Sequence, residues 1–294
     1  MTIHEAFTHL APSVRAAAGL SNAERSNLIR QERWIGYGRA KRALKELQDL
    51  ADYPKRDRMP NMLLFGATNN GKTKIIRRFT SLHPAQTDVS KGLRETPVVM
   101  VEMSPQPGLS RLYGSLLDAI GAPYRRTSRF DALEPLALEM LRLVRTKVLI
   151  IDELHNLMAC NALQQRQVLN QLKYLGNQLK IPLVGVGTEE AWSAIKSDPQ
   201  MANRFQPFHL PVWGEGDEFL QLMMTFGQLL PLRKPSELAN EQIARLVLAQ
   251  SDGSIGSITR LMEKAAIWAI ESGEERITSE LLAKLNSVAF DAAA

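Results

Sequence analysis

The sequence predicts an α/β fold, a mostly parallel sheet flanked by helices, followed by a small all-helical domain. Three observations carry this expectation. The runs at residues 61–65, 98–101, 148–151 and 183–186 are short and apolar, as strands buried on both faces require. Stretches with helical spacing separate them, the alternation expected of crossover units. After Gly214 no such run recurs, and the remaining residues keep a helical period.

Taken in order, residues 1–21 are a loosely patterned leader. Residues 22–52 follow as an amphipathic helix, with Ala40, Ala43, Leu44, Leu47 and Leu50 on one face and Arg39, Lys41, Arg42, Lys45 and Glu46 around the rest. Tyr53-Pro54 ends it, and residues 55–60 form a polar connection to the first strand. Residues 74–79, 112–120, 133–144 and 164–179 are expected as helices, and 208–212 as a weaker fifth strand. Beyond it, residues 219–230, 237–251, 255–270 and 279–288 each fit a helix. The expected division is a leader at 1–21, an α/β domain at 22–214 and a helical domain at 215–294.

Composition excludes several classes. With 294 residues, 45% hydrophobic and 23% charged, the chain is neither disordered nor fibrous. No apolar run approaches the ~20 residues needed to cross a bilayer, and the N-terminus lacks a signal-peptide core. A single cysteine, Cys160, rules out an internal disulfide and points to a reducing, cytoplasmic compartment. The five histidines form no convincing metal site. A net charge of +5 permits nucleic-acid contact without demonstrating it.

Gly66-Ala67-Thr68-Asn69-Asn70-Gly71-Lys72-Thr73 matches the phosphate-binding P-loop pattern without a mismatch. In that chemistry a strand turns sharply into a helix while successive amides point at an anion, and the helix presents its positive end to the same phosphates. Gly66 and Gly71 allow positive φ, and Asn69 and Asn70 tolerate left-handed backbone. Lys72 is expected to reach the β- and γ-phosphates of ATP, and the Thr73 hydroxyl to hold Mg²⁺.

The run ending in Asp152-Glu153 supplies a second set of groups. Asp152, at the carboxyl end of a buried strand, can orient the Mg²⁺ shell, and Glu153 can polarise the attacking water. His155 and Asn156 are read as structural. At the tip of the next strand, Thr188 is placed either to hold that water or to cap the following helix.

Together these residues resemble the AAA+ ATPases, and more narrowly the TniB/TnsC family of transposition regulators, over roughly residues 26–288. The narrow resemblance lies in the Asn69-Asn70 variant of the loop, joined to Asp152-Glu153-Leu154-His155-Asn156 and Val186-Gly187-Thr188-Glu189-Glu190-Ala191. It implies a P-loop AAA+ five-stranded parallel sheet with a helical lid, Thr188 at the sensor-1 position and Arg204 at the arginine-finger position. It also places Trp34 and Ile35 near the adenine. The sensor-2 position carries Gly256, so Arg260, one helical turn on, is the candidate substitute. The activity implied is a slow ATPase stimulated by DNA or partners. ATP-bound subunits would assemble as a ring or helical filament on double-stranded DNA, recruit a DDE-type transposase, with a target-selection protein as a further partner, and disassemble on hydrolysis.

Ser110 and Arg111, opening a helix after the second strand, and Arg125, Arg126 and Arg129 in a later loop are the candidate DNA contacts, made to phosphate rather than to bases. The alternatives are a helicase-loader-like or secretion-associated ATPase, or an ATP-bound DNA scaffold with little turnover.

Overall fold

A computed structural model describes residues 7–88 and 93–291. Its contacts divide the chain into two units. One gathers the described residues up to Gly38, Asn69–Gly71 and those from Val212 onward; the other gathers 39–68 and 72–211. The described part of the expected leader, and residues 22–38 after it, therefore group with the C-terminal helices. Residues 1–6 of that leader and 292–294 of the C-terminal tail lie outside the described residues.

Helix α1 (Pro12–Ala18) opens with a proline at its first turn, where no amide is needed. Helix α2 (Asn22–Arg30) is started by a capping box: Ser21 accepts the Glu24 amide, and Glu24 reaches back to the Ser21 amide. The single helix expected over 22–52 is broken here. Gln31 turns extended (φ −72°, ψ 143°), and helix α3 (Gly38–Ala51) begins afterwards. The Arg33 guanidinium explains the break. It donates to the carbonyls of Leu28 (3.0 Å), Ile29 (2.6 Å) and Leu229 (3.2 Å), so the last carbonyls of α2 need no further helix.

The sheet unit starts from strand β1 (Asn61–Phe65), buried at every residue, and helix α4 (Lys72–Leu82). A short antiparallel pair that the sequence did not signal, β2 (Gln86–Asp88) and β3 (Leu93–Glu95), precedes β4 (Val98–Glu102). Then come α5 (Leu109–Ile120), α6 (Phe130–Leu143), β5 (Val148–Asp152), α7 (Ala162–Leu179) and β6 (Leu183–Gly187). Helices α8 (Glu189–Lys196) and α9 (Pro199–Ala202) lead into β7 (Phe205–His209).

The five strands are parallel in the order β4-β5-β6-β1-β7. The fifth strand lies three residues before the expected 208–212. It is one of the two edge strands, and an edge accommodates Pro207 and a half-exposed run. Leu63, Val101, Leu116, Leu149, Leu172 and Ile195 belong to one continuous core between sheet and helices. Each such aliphatic contributes about 1.5–3 kcal/mol by leaving water.

The helical unit continues with α10 (Asp217–Leu229), α11 (Glu241–Ala249), α12 (Ile255–Glu271) and α13 (Ser279–Asp291). Its centre holds a buried ion pair. Arg25, fully buried on α2, grips Glu275 through two bonds of 2.6 and 2.7 Å, and donates also to Asn22 and the Pro231 carbonyl. Burial pushes the Glu275 carboxyl up, but the bonds from Arg25 and the Arg233 amide outweigh it and hold it below the ordinary range. Among the described residues no helix is long and apolar enough to cross a membrane.

Removing one partner of such a pair strands the other charge. Arg25→Ala is expected to cost about 3–5 kcal/mol, measured as a lower urea midpoint. Because the folded Glu275 pKa is depressed, the pair's contribution is complete above an ordinary glutamate pKa of about 4.3 and is lost as pH falls through the folded value. The melting-temperature gap between wild type and variant should therefore shrink below about pH 4. A gap that stays constant down to pH 3 would contradict a charged Glu275.

Candidate nucleotide site

The parallel order brings the ends of β1, β5 and β6 to one edge of the sheet. At the end of β1, Gly66 has φ +156°, and a Cβ there would lie 2.2 Å from the Leu210 carbonyl oxygen. Any side chain would push the edge strand's continuation away, so the sharp exit from β1 requires glycine. Ala67 and Thr68 are exposed beyond it.

Lys72 begins α4 and turns back into the loop. Its Nζ donates to the carbonyls of Gly66 (2.9 Å) and Ala67 (2.7 Å). Burial lowers its pKa, while Glu153, Asp152 and Glu189 act in the opposite direction. One residue on, the Thr73 hydroxyl donates to Asp152 Oδ2 at 2.8 Å. Asp152 is buried, and its other oxygen accepts the Glu153 amide at 2.8 Å. The structure thus joins Lys72, Thr73, Asp152 and Glu153, drawn from two distant stretches of sequence.

Glu153 sits in left-handed backbone (φ +54°), and its carboxylate meets His155 Nε2 at 3.1 Å. His155 Nδ1 is buried without a partner among the described residues. His155, read from sequence as structural, is therefore in direct contact with the candidate base; its position two residues after Glu153, in a tight turn, was the available signal. Asn156 donates to the Met103 carbonyl at 2.7 Å and ties this turn to the end of β4.

Thr188 occupies the N-cap position of α8, yet its side chain caps no amide. The hydroxyl donates instead to Glu190, and that bond lowers the Glu190 pKa. Glu189 pairs with His209 at 3.1 Å, and the His209 ring stacks on Phe65 with centroids 5.0 Å apart. Glu189 was read from the sequence only as part of the Val186–Ala191 motif, and His209 was not singled out.

Arg204 stands apart from this group. It immediately precedes β7, whose first residue pairs with Asn61, the first residue of β1. It is therefore at the opposite end of the sheet from Gly66, about 16 Å away along a five-residue strand. Its guanidinium donates to Asn177 at 2.8 Å.

The expected DNA contacts lie at two places. Arg111 donates to the Gln106 carbonyl (3.0 Å) beside the exposed Ser110 at the start of α5, whereas Arg125, Arg126 and Arg129 occupy the turn after its end. The rest of α5 after Arg111, about 14 Å of helix, separates the two groups.

In the helical unit, Asn69 adopts the expected left-handed conformation (φ +59°), but Asn70 does not. Asn70 is buried and accepts the Ile255 amide at 3.2 Å, while the Asn69 carbonyl accepts the Gly256 amide at 3.0 Å. Trp34 is half-buried and Ile35 buried, and it is Tyr37 that packs edge-on against Trp213, 5.2 Å between centroids. Arg260 is exposed and unpaired among the described residues.

The donor set suits a nucleotide with magnesium. A hydroxyl beside a buried carboxylate is a hard-oxygen pair, which is what Mg²⁺ prefers, and a buried ammonium in a glycine-bounded turn suits phosphate. Among the described residues no cluster of three or more His, Cys, Asp or Glu is placed to form a metal cage of its own.

Comparison with known proteins agrees with this plan. The fold is similar to the ORC2 protein of Aeropyrum pernix solved in ADPNP–ADP complexes (TM-score 0.60, 16% identity, covering 87% of this chain and 69% of that one). It is similar also to the Aeropyrum pernix ORC1 protein in complex with DNA (0.52, 17%, 85% and 64%) and to a Walker-type ATPase of Pyrococcus abyssi (0.56, 14%, 90% and 78%). At these identities the likeness shows the fold alone, the five-stranded parallel sheet and helical C-terminal region of the AAA+ proteins. The sequence itself matches the family described as Bacterial TniB protein over residues 25–215, well over half of its length. By that match, this chain belongs to the TniB family.

Proposed function

We propose that this chain is an ATP-driven regulator of DNA transposition. In this reading it assembles on double-stranded DNA as a homo-oligomer in the bacterial cytoplasm. There it engages a DDE-type transposase, with or without a target-selection protein, and disassembles when ATP is hydrolysed. The observation that carries the reading is the convergence of Lys72, Thr73, Asp152 and Glu153 at one sheet edge in a chain of the TniB family. The neighbours solved with ADPNP–ADP and with DNA support its nucleotide and DNA parts. Residues 215–294 serve as the helical lid of the AAA+ plan.

The chemistry follows from the groups present. Lys72 exchanges the Gly66 and Ala67 carbonyls for the β- and γ-phosphates, a stronger set of charge-assisted bonds. Thr73 and Asp152 would hold a magnesium ion, which neutralises developing charge on the phosphate oxygens when bound. Glu153 accepts a proton from the attacking water as its oxygen closes on the γ-phosphorus and the bond to the leaving ADP oxygen breaks. Thr188 holds that water from the opposite side. Arg204, at the far end of the sheet from its own loop, is suited to enter a neighbouring subunit's site, where a guanidinium spreads the charge of the transition state.

A second reading, in which ATP is a structural ligand and turnover is slight, is favoured by one contact. The Glu153 carboxylate is held by His155, which occupies one of the two oxygens a base would offer to water.

Lys72→Ala should weaken ATP binding at least roughly tenfold, since a charged bond contributes about 1.5–3 kcal/mol. Wild-type affinity in a calorimetric titration would reject the loop as the phosphate site. Glu153→Gln should bind ATP normally, lose about 10²–10⁴ in turnover and remain on DNA. Unchanged release from DNA would favour the structural-ligand reading. Arg204→Ala should bind ATP yet hydrolyse it about 10³–10⁵ times more slowly. Mixing it with Glu153→Gln subunits should recover activity, because each variant supplies what the other lacks; an inactive mixture would count against a shared site.

A further inference from the structure

The apex of the phosphate loop, Asn69–Gly71, groups with the helical unit, and the start of α12 explains why. The first amides of a helix have no partner within it. In α12 the Ser257 amide is taken by Ser254 Oγ at 3.2 Å, as in an ordinary cap. The Ile255 and Gly256 amides are taken instead by the loop, through Asn70 Oδ1 at 3.2 Å and the Asn69 carbonyl at 3.0 Å. Asn69 Nδ2 closes the ring onto Ser254 Oγ at 3.4 Å. Asn70 is 1% exposed, so water cannot replace what it provides.

Two glycines leave room for this contact. A Cβ on Gly256 would lie 2.0 Å from Asn69 Oδ1 and 2.3 Å from its Cγ, and one on Gly71 would lie 2.9 Å from Ile255 Cγ2. The contact engages a carbonyl and a side-chain oxygen of the loop. The third bond uses the Asn69 side-chain amide.

We infer that the first turn of α12 is a clamp on the phosphate loop, and that Asn69, Asn70 and Gly256 are positioning residues for nucleotide binding. The clamp holds the loop apex in its anion-binding shape and makes phosphate occupancy felt at α12 without any cation from that helix. This inference rests on the reading of the loop as the ATP site, and it adds the element that positions the loop.

The test uses the full chain, a fluorescent ATP analogue and amide hydrogen exchange at residues 255–258. ATP should slow exchange at these amides in wild type. Gly256→Ala should weaken the analogue roughly tenfold, the scale of one displaced cap, by forcing Asn69 aside. Adding Asn69→Gly, which removes the obstructing side chain and suits the left-handed backbone there, should restore affinity to within about threefold. Asn70→Ala should abolish the ATP-dependent slowing at 255–258. Wild-type affinity in Gly256→Ala overturns the clamp. So does a double variant that melts like wild type and binds no better than Gly256→Ala. If wild type itself does not bind the analogue, the nucleotide reading fails and takes the clamp with it; if wild type binds and Gly256→Ala binds equally, only the clamp fails.

Discussion

The bond from the Thr73 hydroxyl to the Asp152 carboxylate, 2.8 Å long, joins residues 79 positions apart and holds the candidate site together. The strands that deliver them are not neighbours, for β6 lies between β1 and β5. Parallel strands need long crossovers, and such crossovers return every strand in the same direction. All the carboxyl ends therefore meet at one edge. A hydroxyl after β1, a carboxylate ending β5 and a threonine after β6 therefore lie at the same edge. The sheet's continuous apolar core makes that edge rigid.

The charges at this edge are mutually satisfied in ways that a nucleotide would rearrange. Lys72 is bonded to two loop carbonyls, Glu153 to His155, Thr188 to Glu190 and Glu189 to His209. Burial works against the Lys72 ammonium, while three carboxylates act to keep it charged. A phosphate would offset the cost of burying the ammonium, since it would bring negative charge beside it. The helical unit shows the same economy in the Arg25–Glu275 pair, where burial is tolerated only because both bonds of the fork are made.

Most of the sheet could be read in advance because strands buried on both faces leave a continuous apolar run. Asn61–Phe65, Val148–Asp152 and Leu183–Gly187 are of that kind, and they emerge within a residue of expectation. Edge strand β7 was misplaced because half-exposed strands carry a weaker pattern. The β2–β3 pair was missed because it is short and polar. The break between α2 and α3 could not be seen because the groups that end α2 include Arg33 bonding to Leu229, far away in sequence.

The amino-acid sequence by itself determined the strand-to-helix loop at Gly66–Thr73 and the acidic pair Asp152-Glu153 behind four aliphatics. It could do so because these motifs are local and their residue types follow from local backbone and burial. Tertiary structure alone decided what those residues touch. It bonded Arg204 to Asn177 and turned Asn70 from a loop residue into a helix cap. Each of these depends on which segments become neighbours when the chain closes on itself, and residue spacing carries no record of that.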